Sequence, residues 1–226
     1  AKRVQWGHPI GEHEAIAVKL GYIASHTFAM DALSWLTAAM ADDKNRDIRL
    51  EAAIAKYFST AHSWTIVDET LQIRGGQGYE QSSSLRQRGV DYWPVERVMR
   101  DARINTIIEG TSEIMHLFIA REALDPHLSR SMPLLSPKTS PAEKLKTLGK
   151  VLAYYAVWYP KLWLPSASSS GFAAPLGGHM DYVQAASKRL ARTIVHNMAK
   201  YQQKLESKQS VLNRLVDIGT DLFAMS

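Results

Sequence analysis

Residues 46–78 read RDIRLEAAIAKYFSTAHSWTIVDETLQIRGGQG. Ala52, Ala55, Phe58, His62, Thr65 and Val67 recur at three- and four-residue steps, which places them on one face of a helix from about Arg46 to Ile73. Arg74 is followed by Gly75, Gly76 and Gly78, an emphatic stop, because glycine takes the left-handed conformation that ends helices at little cost. A glycine cluster of this kind could suggest a phosphate cradle. Nucleotide loops, however, follow a strand and open a helix, and this one closes a helix.

Working outward, Ile16, Leu20, Ile23, Thr27, Met30 and Ala38 predict another long helix over Glu12–Asp42, with Pro9 and Gly11 ahead of it. The polar turn DDKNRD joins the two into an αα-hairpin, the usual half of a four-helix bundle. Downstream, Gln81–Trp93 is expected to be a long polar loop. Pro94 suits the first turn of a short helix, PVERVMRDAR, and INTIIEG is expected to be extended. Thr111 or Ser112 can cap a helix SEIMHLFIAREAL with the stripe Ile114, Leu117, Phe118 and Leu124.

Residues 126–141 turn rich in Ser and Pro and are read as a linker. An aromatic helix, EKLKTLGKVLAYYAVWYPKLW, comes next and is ended by Pro160. SASSSGFAAPLGG is expected to be flexible, and helices over Met180–Glu206 and Gln209–Ala224 close the chain. Strands and helices do not alternate, which argues against a parallel sheet. The expected architecture is all-α: a four-helix bundle over 1–125, a linker over 126–141 and a further helical region over 142–226.

The 226 residues can bury a substantial core. With no cysteine, disulfides, thiolate zinc sites and cysteine nucleophiles are excluded. The formal net charge of +5 is spread and interleaved with acids, as in DDKNRDIRLE, so nucleic acid is not an expected partner. A basic surface still suits an anionic ligand such as a phosphorylated thioester. No apolar run approaches the ~20 residues of a membrane span. The chain opens on AKRVQWG and closes on GTDLFAMS, and is expected to be a segment of a longer protein.

Glu113 and His116 have the spacing of a carboxylate–histidine metal pair, but a di-iron bundle needs a second pair, and no metal is expected. His13, His26, His62, Asp31, Asp68 and Glu69 read as core or surface groups. The cluster AYYAVWYPKLW reads as aromatic packing, with a membrane-surface stripe as the alternative.

Glu109 stands apart. In RDARINTIIEGTSEIM (100–115), two isoleucines run into an acid that serves no helix face, and Gly-Thr-Ser follows at once. The segment resembles the catalytic stretch of the acyl-CoA dehydrogenase family. Upstream, KRVQWGHPIGEHEAI and DETLQIRGGQGYE are similar to two further segments of that family, and PVERVMRDARI matches the stretch ahead of its base. These occur in the family's order over residues 1 to about 125. From about Ser140 the tail resembles the added helical region of the very-long-chain type, most clearly in KYQQKLESKQSVLNRLVDIGTDLFAM.

The resemblance implies FAD-dependent conversion of a medium- to long-chain acyl-CoA to the trans-2-enoyl-CoA of fatty-acid β-oxidation. Glu109 would take the α-proton while the β-hydrogen leaves as hydride to the flavin. An α-proton on a thioester is a very weak acid, so the site must stabilise the developing enolate oxygen by hydrogen bonds. In the family these come from the base's own backbone N–H and a flavin hydroxyl. Apolar surroundings make a carboxylate a stronger base, which gives Ile107 and Ile108 a purpose. Gly110 and Ile108 would line the substrate. Thr111 and residue 113 would touch the flavin, although the family often has Gln where this chain has Glu113.

Arg3, Gln5, Gln72, Gly75 and Gly76 match positions that bind the FAD of a neighbouring subunit, which implies a homodimer or tetramer. Arg suits a pyrophosphate, and the glycines are expected to expose backbone donors. Electron-transfer flavoprotein is the implied electron acceptor. The family's amino-terminal helical domain and central β-domain are absent from this sequence, so the segment alone is expected not to turn over. A cytoplasmic or mitochondrial-matrix setting is implied, with possible peripheral membrane contact around 151–180. An acyl-CoA oxidase and a non-catalytic helical scaffold are the competing readings.

Overall fold

The computed structural model describes residues 3–166, 171–173 and 175–226. It begins with a minimal hairpin, β1 (Val4–Gln5) and β2 (His8–Pro9), with Val4 opposite Pro9 and Gln5 opposite His8. Trp6 and Gly7, at φ 49° and 83°, form the tight turn whose twist matches that of the strands. A 3-10 turn over Ile10–Glu12 leads into α1 (Glu14–Asp42), and α2 (Arg49–Arg74) returns alongside it. Contacts of Lys19 with Glu69 and of Met30 with Ser63 show the antiparallel pairing of an αα-hairpin.

Short helices α3 (Gly76–Tyr79) and α4 (Ser82–Gln87) follow, then α5 (Val95–Ile104), which packs on α2. The expected loop over Gln81–Trp93 is thus partly helical. Leu85, 0 % exposed, anchors α4, and Glu80 ties it by accepting from Ser84 and Arg88. Pro94 is the cap of α5 rather than its first turn. INTIIEG is not extended either. The N–H groups of Ile107 and Ile108 both donate to Ile104 O at 2.9 Å, so local turns satisfy a backbone that pairs with no strand.

The next helix, α6 (Ser112–Leu135), runs through Pro126 and Pro133, where a linker was expected. Each proline forfeits a helix hydrogen bond. Packing offsets that loss: between the prolines, His127 bonds the Tyr155 hydroxyl at 2.7 Å and lies 5.1 Å from the Trp158 ring. The aromatic helix is α7 (Pro141–Lys161), opened by a capping box in which Ser140 and Glu143 satisfy each other's backbone N–H. Pro160 lies inside its last turn rather than ending it. The stretch expected to be flexible falls in part on residues 167–170 and 174, which lie outside the described residues. Then α8 (Leu176–Tyr201), a 3-10 turn over Gln202–Leu205 and α9 (Gln209–Met225) complete the chain.

Two compact units result, Ala1–Met115 and His116–Ser226. In the first, Leu33, Ala53, Ile54, Phe58, Leu85, Val95 and Ala102 are buried. In the second, Val183 and Ala186 of α8 and Leu222 of α9 form a core with Leu190 against it.

Candidate active site

Glu109 occupies the turn between α5 and α6, at φ 53°, and Gly110 follows at φ 97°. A left-handed non-glycine residue costs on the order of 1–3 kcal/mol and persists only where its surroundings hold it. Here they do. Ser112 N–H donates to Thr106 O at 3.2 Å across the turn. Thr106 is buried, and its hydroxyl donates to Arg103 O at 2.9 Å and accepts from the Arg103 guanidinium, which lies 5.6 Å over the Trp64 ring. Thr111 caps α6 by accepting from Ile114 N–H at 3.3 Å. From α2, Lys56 Nζ donates to Gly110 O at 2.6 Å. Glycine is favoured at 110, since any other residue would be strained in this left-handed backbone and its Cβ, 2.8 Å from Met115 Sδ, would displace that side chain.

The side chain of Glu109 is exposed, and among the described residues its backbone N–H has no acceptor. A carboxylate and a free N–H donor thus arise from one residue. Such a pair can take a proton from a carbon while hydrogen-bonding the oxygen on which negative charge collects. Ile107 and Ile108 are 47 % and 46 % exposed, so this chain's own packing does not surround Glu109 with the expected apolar shell. They present apolar surface beside it instead. Glu113, also exposed, lies in the first turn of α6.

The cofactor candidates fall on the ends of elements. Arg3 is exposed while its backbone is fixed, its carbonyl accepting from Ile10 N–H at 2.7 Å. The Gln5 amide bonds back to Val4 O at 2.8 Å. Gln72 is exposed near the end of α2, and Gly75 turns the chain at φ 60°. The Gly75 N–H already donates to Leu71 O and Gln72 O at 3.0 and 3.1 Å, so it is no free donor, against expectation. Gly76 opens α3, and among the described residues its N–H has no acceptor. An exposed guanidinium and a glycine turn with a free N–H suit the phosphates of a dinucleotide.

Sequence reasoning missed three residues here. A Cβ on Gly78 would meet Leu71 O at 2.7 Å, so Gly78 is the glycine of the cluster that close packing demands. Arg103 and Lys56 pin the Glu109 turn. The only available hint for Lys56 was a lone cation in the otherwise apolar run AAIAKYF.

Other polar groups sit elsewhere. Tyr22 OH lies 2.7 Å from His62 Nδ1, and the His26 and Phe58 rings lie 4.4 and 4.2 Å from the His62 ring. Burial, and then the neighbouring His26, push His62 down to about 4. Burial chiefly raises Tyr22. His116 bonds Asp217 at 2.8 Å and thereby ties α6 to α9. Among the described residues, no group of three His, Asp or Glu is placed to hold a metal ion.

A family model described as acyl-CoA dehydrogenase, C-terminal domain, matches residues 1–124. The chain therefore belongs to the acyl-CoA dehydrogenase family and carries its C-terminal helical domain. It is 46 % identical over 230 residues to the probable acyl-CoA dehydrogenase FadE10 of Mycobacterium tuberculosis, covering 100 % of this chain and 35 % of that protein. With the very long-chain specific acyl-CoA dehydrogenase, mitochondrial, of Bos taurus, identity is 29 % over 239 residues, covering 100 % of this chain and 33 % of that protein. The crystal structure of an acyl-CoA dehydrogenase complexed with FAD from Bacillus anthracis shares the fold. Its TM-score is 0.69 at 24 % identity, over 98 % of this chain and 36 % of that one. The chain spans about a third of the length of the curated relatives it matches.

Proposed function

We propose that this chain is the C-terminal part of an FAD-dependent acyl-CoA dehydrogenase that converts a medium- to long-chain acyl-CoA to trans-2-enoyl-CoA. The observation that carries this reading is the Glu109 turn, where one residue in a left-handed conformation offers both a carboxylate and a free backbone N–H. The carboxylate takes the α-proton, and the N–H hydrogen-bonds the thioester oxygen as it gains charge. When bound, FAD supplies the acceptor for the β-hydrogen, which leaves as hydride. Thr111 and Glu113, at the start of α6, face the flavin of their own subunit. Arg3, Gln5, Gln72, Gly75 and Gly76 hold that of a neighbour in a homodimer or tetramer. Gly110 and Ile108 border the substrate, and electron-transfer flavoprotein takes the electrons onward.

The remainder of the enzyme, its amino-terminal helical and β-domain portion, covers apolar surface that α1 leaves open, where Phe28 and Trp35 are 76 % and 72 % exposed. Residues 1–125 act as the bundle of the catalytic part and 142–226 as its helical extension. On α7, exposed Leu145, Leu148 and Leu152 share a face bordered by Lys144, a pattern suited to peripheral contact with an anionic bilayer. No described helix is long and apolar enough to cross a membrane. The working compartment is the cytoplasm or the mitochondrial matrix.

The test is Glu109→Gln in the full-length holoenzyme, with anaerobic addition of a long-chain acyl-CoA. Flavin bleaching is expected to slow by at least ~100-fold while FAD content is unchanged. Bleaching at the wild-type rate would remove Glu109 from the role of base.

A further inference from the structure

Lys56 spends its charge in an uncommon way. It is part-buried on α2, between the buried residues Ile54 and Phe58, and its ammonium bonds a backbone carbonyl, Gly110 O, at 2.6 Å. Lysine is rarely buried without a partner, and a helix face packing on a turn would be served equally well by Met or Leu. The carbonyl it holds belongs to the residue directly after Glu109. Fixing that oxygen fixes the peptide plane on the far side of Gly110, and with it the pair of left-handed residues at φ 53° and 97°. The other ties, through Thr106, Arg103 and Thr111, grip the turn before and after that pair. Among the described residues, Lys56 is the side chain that bonds the pair itself.

We propose that Lys56 is a positioning residue for the catalytic base. Its ammonium locks the Gly110 carbonyl, so that the Glu109 carboxylate and N–H stay aimed at the reacting carbon and oxygen. The inference rests on the reading of Glu109 as the base. Lys56 itself exchanges no proton and touches no substrate. A misplacement of about 1 Å at such a base costs about 100-fold in rate, so the bond acts on rate more than on binding.

The experiment uses the full-length holoenzyme with Lys56→Met, Lys56→Arg and Glu109→Gln. Single-turnover flavin bleaching by a long-chain acyl-CoA, FAD content and KM are measured for each. Lys56→Met is expected to keep FAD and a KM within about threefold of wild type, while bleaching slows ~10- to 100-fold. Lys56→Arg, which can still donate to Gly110 O, is expected to recover most of that loss. A packing role would not produce rescue by the longer cation together with an unchanged KM. Wild-type bleaching by Lys56→Met overturns the proposal, as does loss of FAD and rate together in both Lys56 variants. Wild-type bleaching by Glu109→Gln overturns instead the reading of Glu109, independently of the Lys56 results.

Discussion

The α1–α2 hairpin and the α8–α9 pair are built on opposite terms. In 17 residues, α9 buries Leu212, Val216, Thr220 and Leu222, and leaves Ile218 and Met225 as its exposed large apolar side chains. Over 29 residues, α1 buries only Leu33 and leaves Val18, Phe28, Trp35 and Leu36 exposed. Much of what joins α1 to α2 is polar or aromatic: the Lys19–Glu69 ion pair and the Tyr22, His26, His62 and Phe58 rings. An amphipathic helix completes its contacts within its own unit. A helix apolar on all sides belongs inside a larger protein, in keeping with a chain that spans about a third of its relatives.

The largest effect expected from this contrast is at Leu222, which is 8 % exposed in the α8–α9 core. Leu222→Ala removes apolar contact and leaves a cavity, and is expected to cost ~2–5 kcal/mol in urea unfolding. A loss below ~1 kcal/mol would mean that the pair is no better packed than α1, and the contrast would collapse.

The same contrast explains what could be read in advance. On α2 the helix, its glycine stop and the packing of Phe58 were legible, because periodicity and glycine chemistry are local. On α1 the helix was legible and its buried face only in part: Ile16, Ile23 and Met30 are partly buried as expected. Leu20, Thr27 and Ala38 were expected to point inward and are exposed, whereas Lys19, Tyr22, His26, Leu33 and Thr37 point in. With apolar residues all round, no pattern distinguishes the faces. The capping residue Thr111 was legible, and the same short motif singled out Glu109, which the structure places in a left-handed turn. The grip of Lys56 on Gly110 was not: the two lie 54 residues apart, and only the packing of α2 on the turn brings them together. Likewise α6 runs through two prolines, with His127 and Arg130 between them touching the aromatic side chains of α7, contacts that composition cannot foretell.

A smaller effect is expected from pH. Folded, His62 is held neutral down to about 4, against an ordinary value of 6.5. Between those values the unfolded chain binds a proton that the folded chain does not. Stability from this source is therefore complete above pH 6.5 and lost as pH falls toward 4. Protonation would place charge beside His26 and the Phe58 ring and disturb the Tyr22 bond. With the ring half-exposed and screened, about 1 kcal/mol is expected across that window. His62→Gln should flatten the fall of the unfolding midpoint between pH 7 and 4.5. An undiminished slope would show that the polar seam of the α1–α2 hairpin is not what makes it acid-sensitive.

The smallest effect in this chain, and the sharpest test of the contrast, is at Phe28. With 76 % of its surface exposed, it contributes little to the chain's own core, and Phe28→Ser is expected to change unfolding free energy by no more than about 0.5 kcal/mol. Removing an exposed aromatic should also reduce self-association of the 226-residue chain. In the full-length protein the same substitution is expected to behave as a core mutation, costing about 3 kcal/mol if the remainder of the enzyme covers it. The two measurements together separate a helix that is merely apolar from one whose partner lies elsewhere in the protein. Equal, small effects in both settings would mean that this face of α1 stays open in the full-length protein, and the exposed aromatics would then need a different occupant.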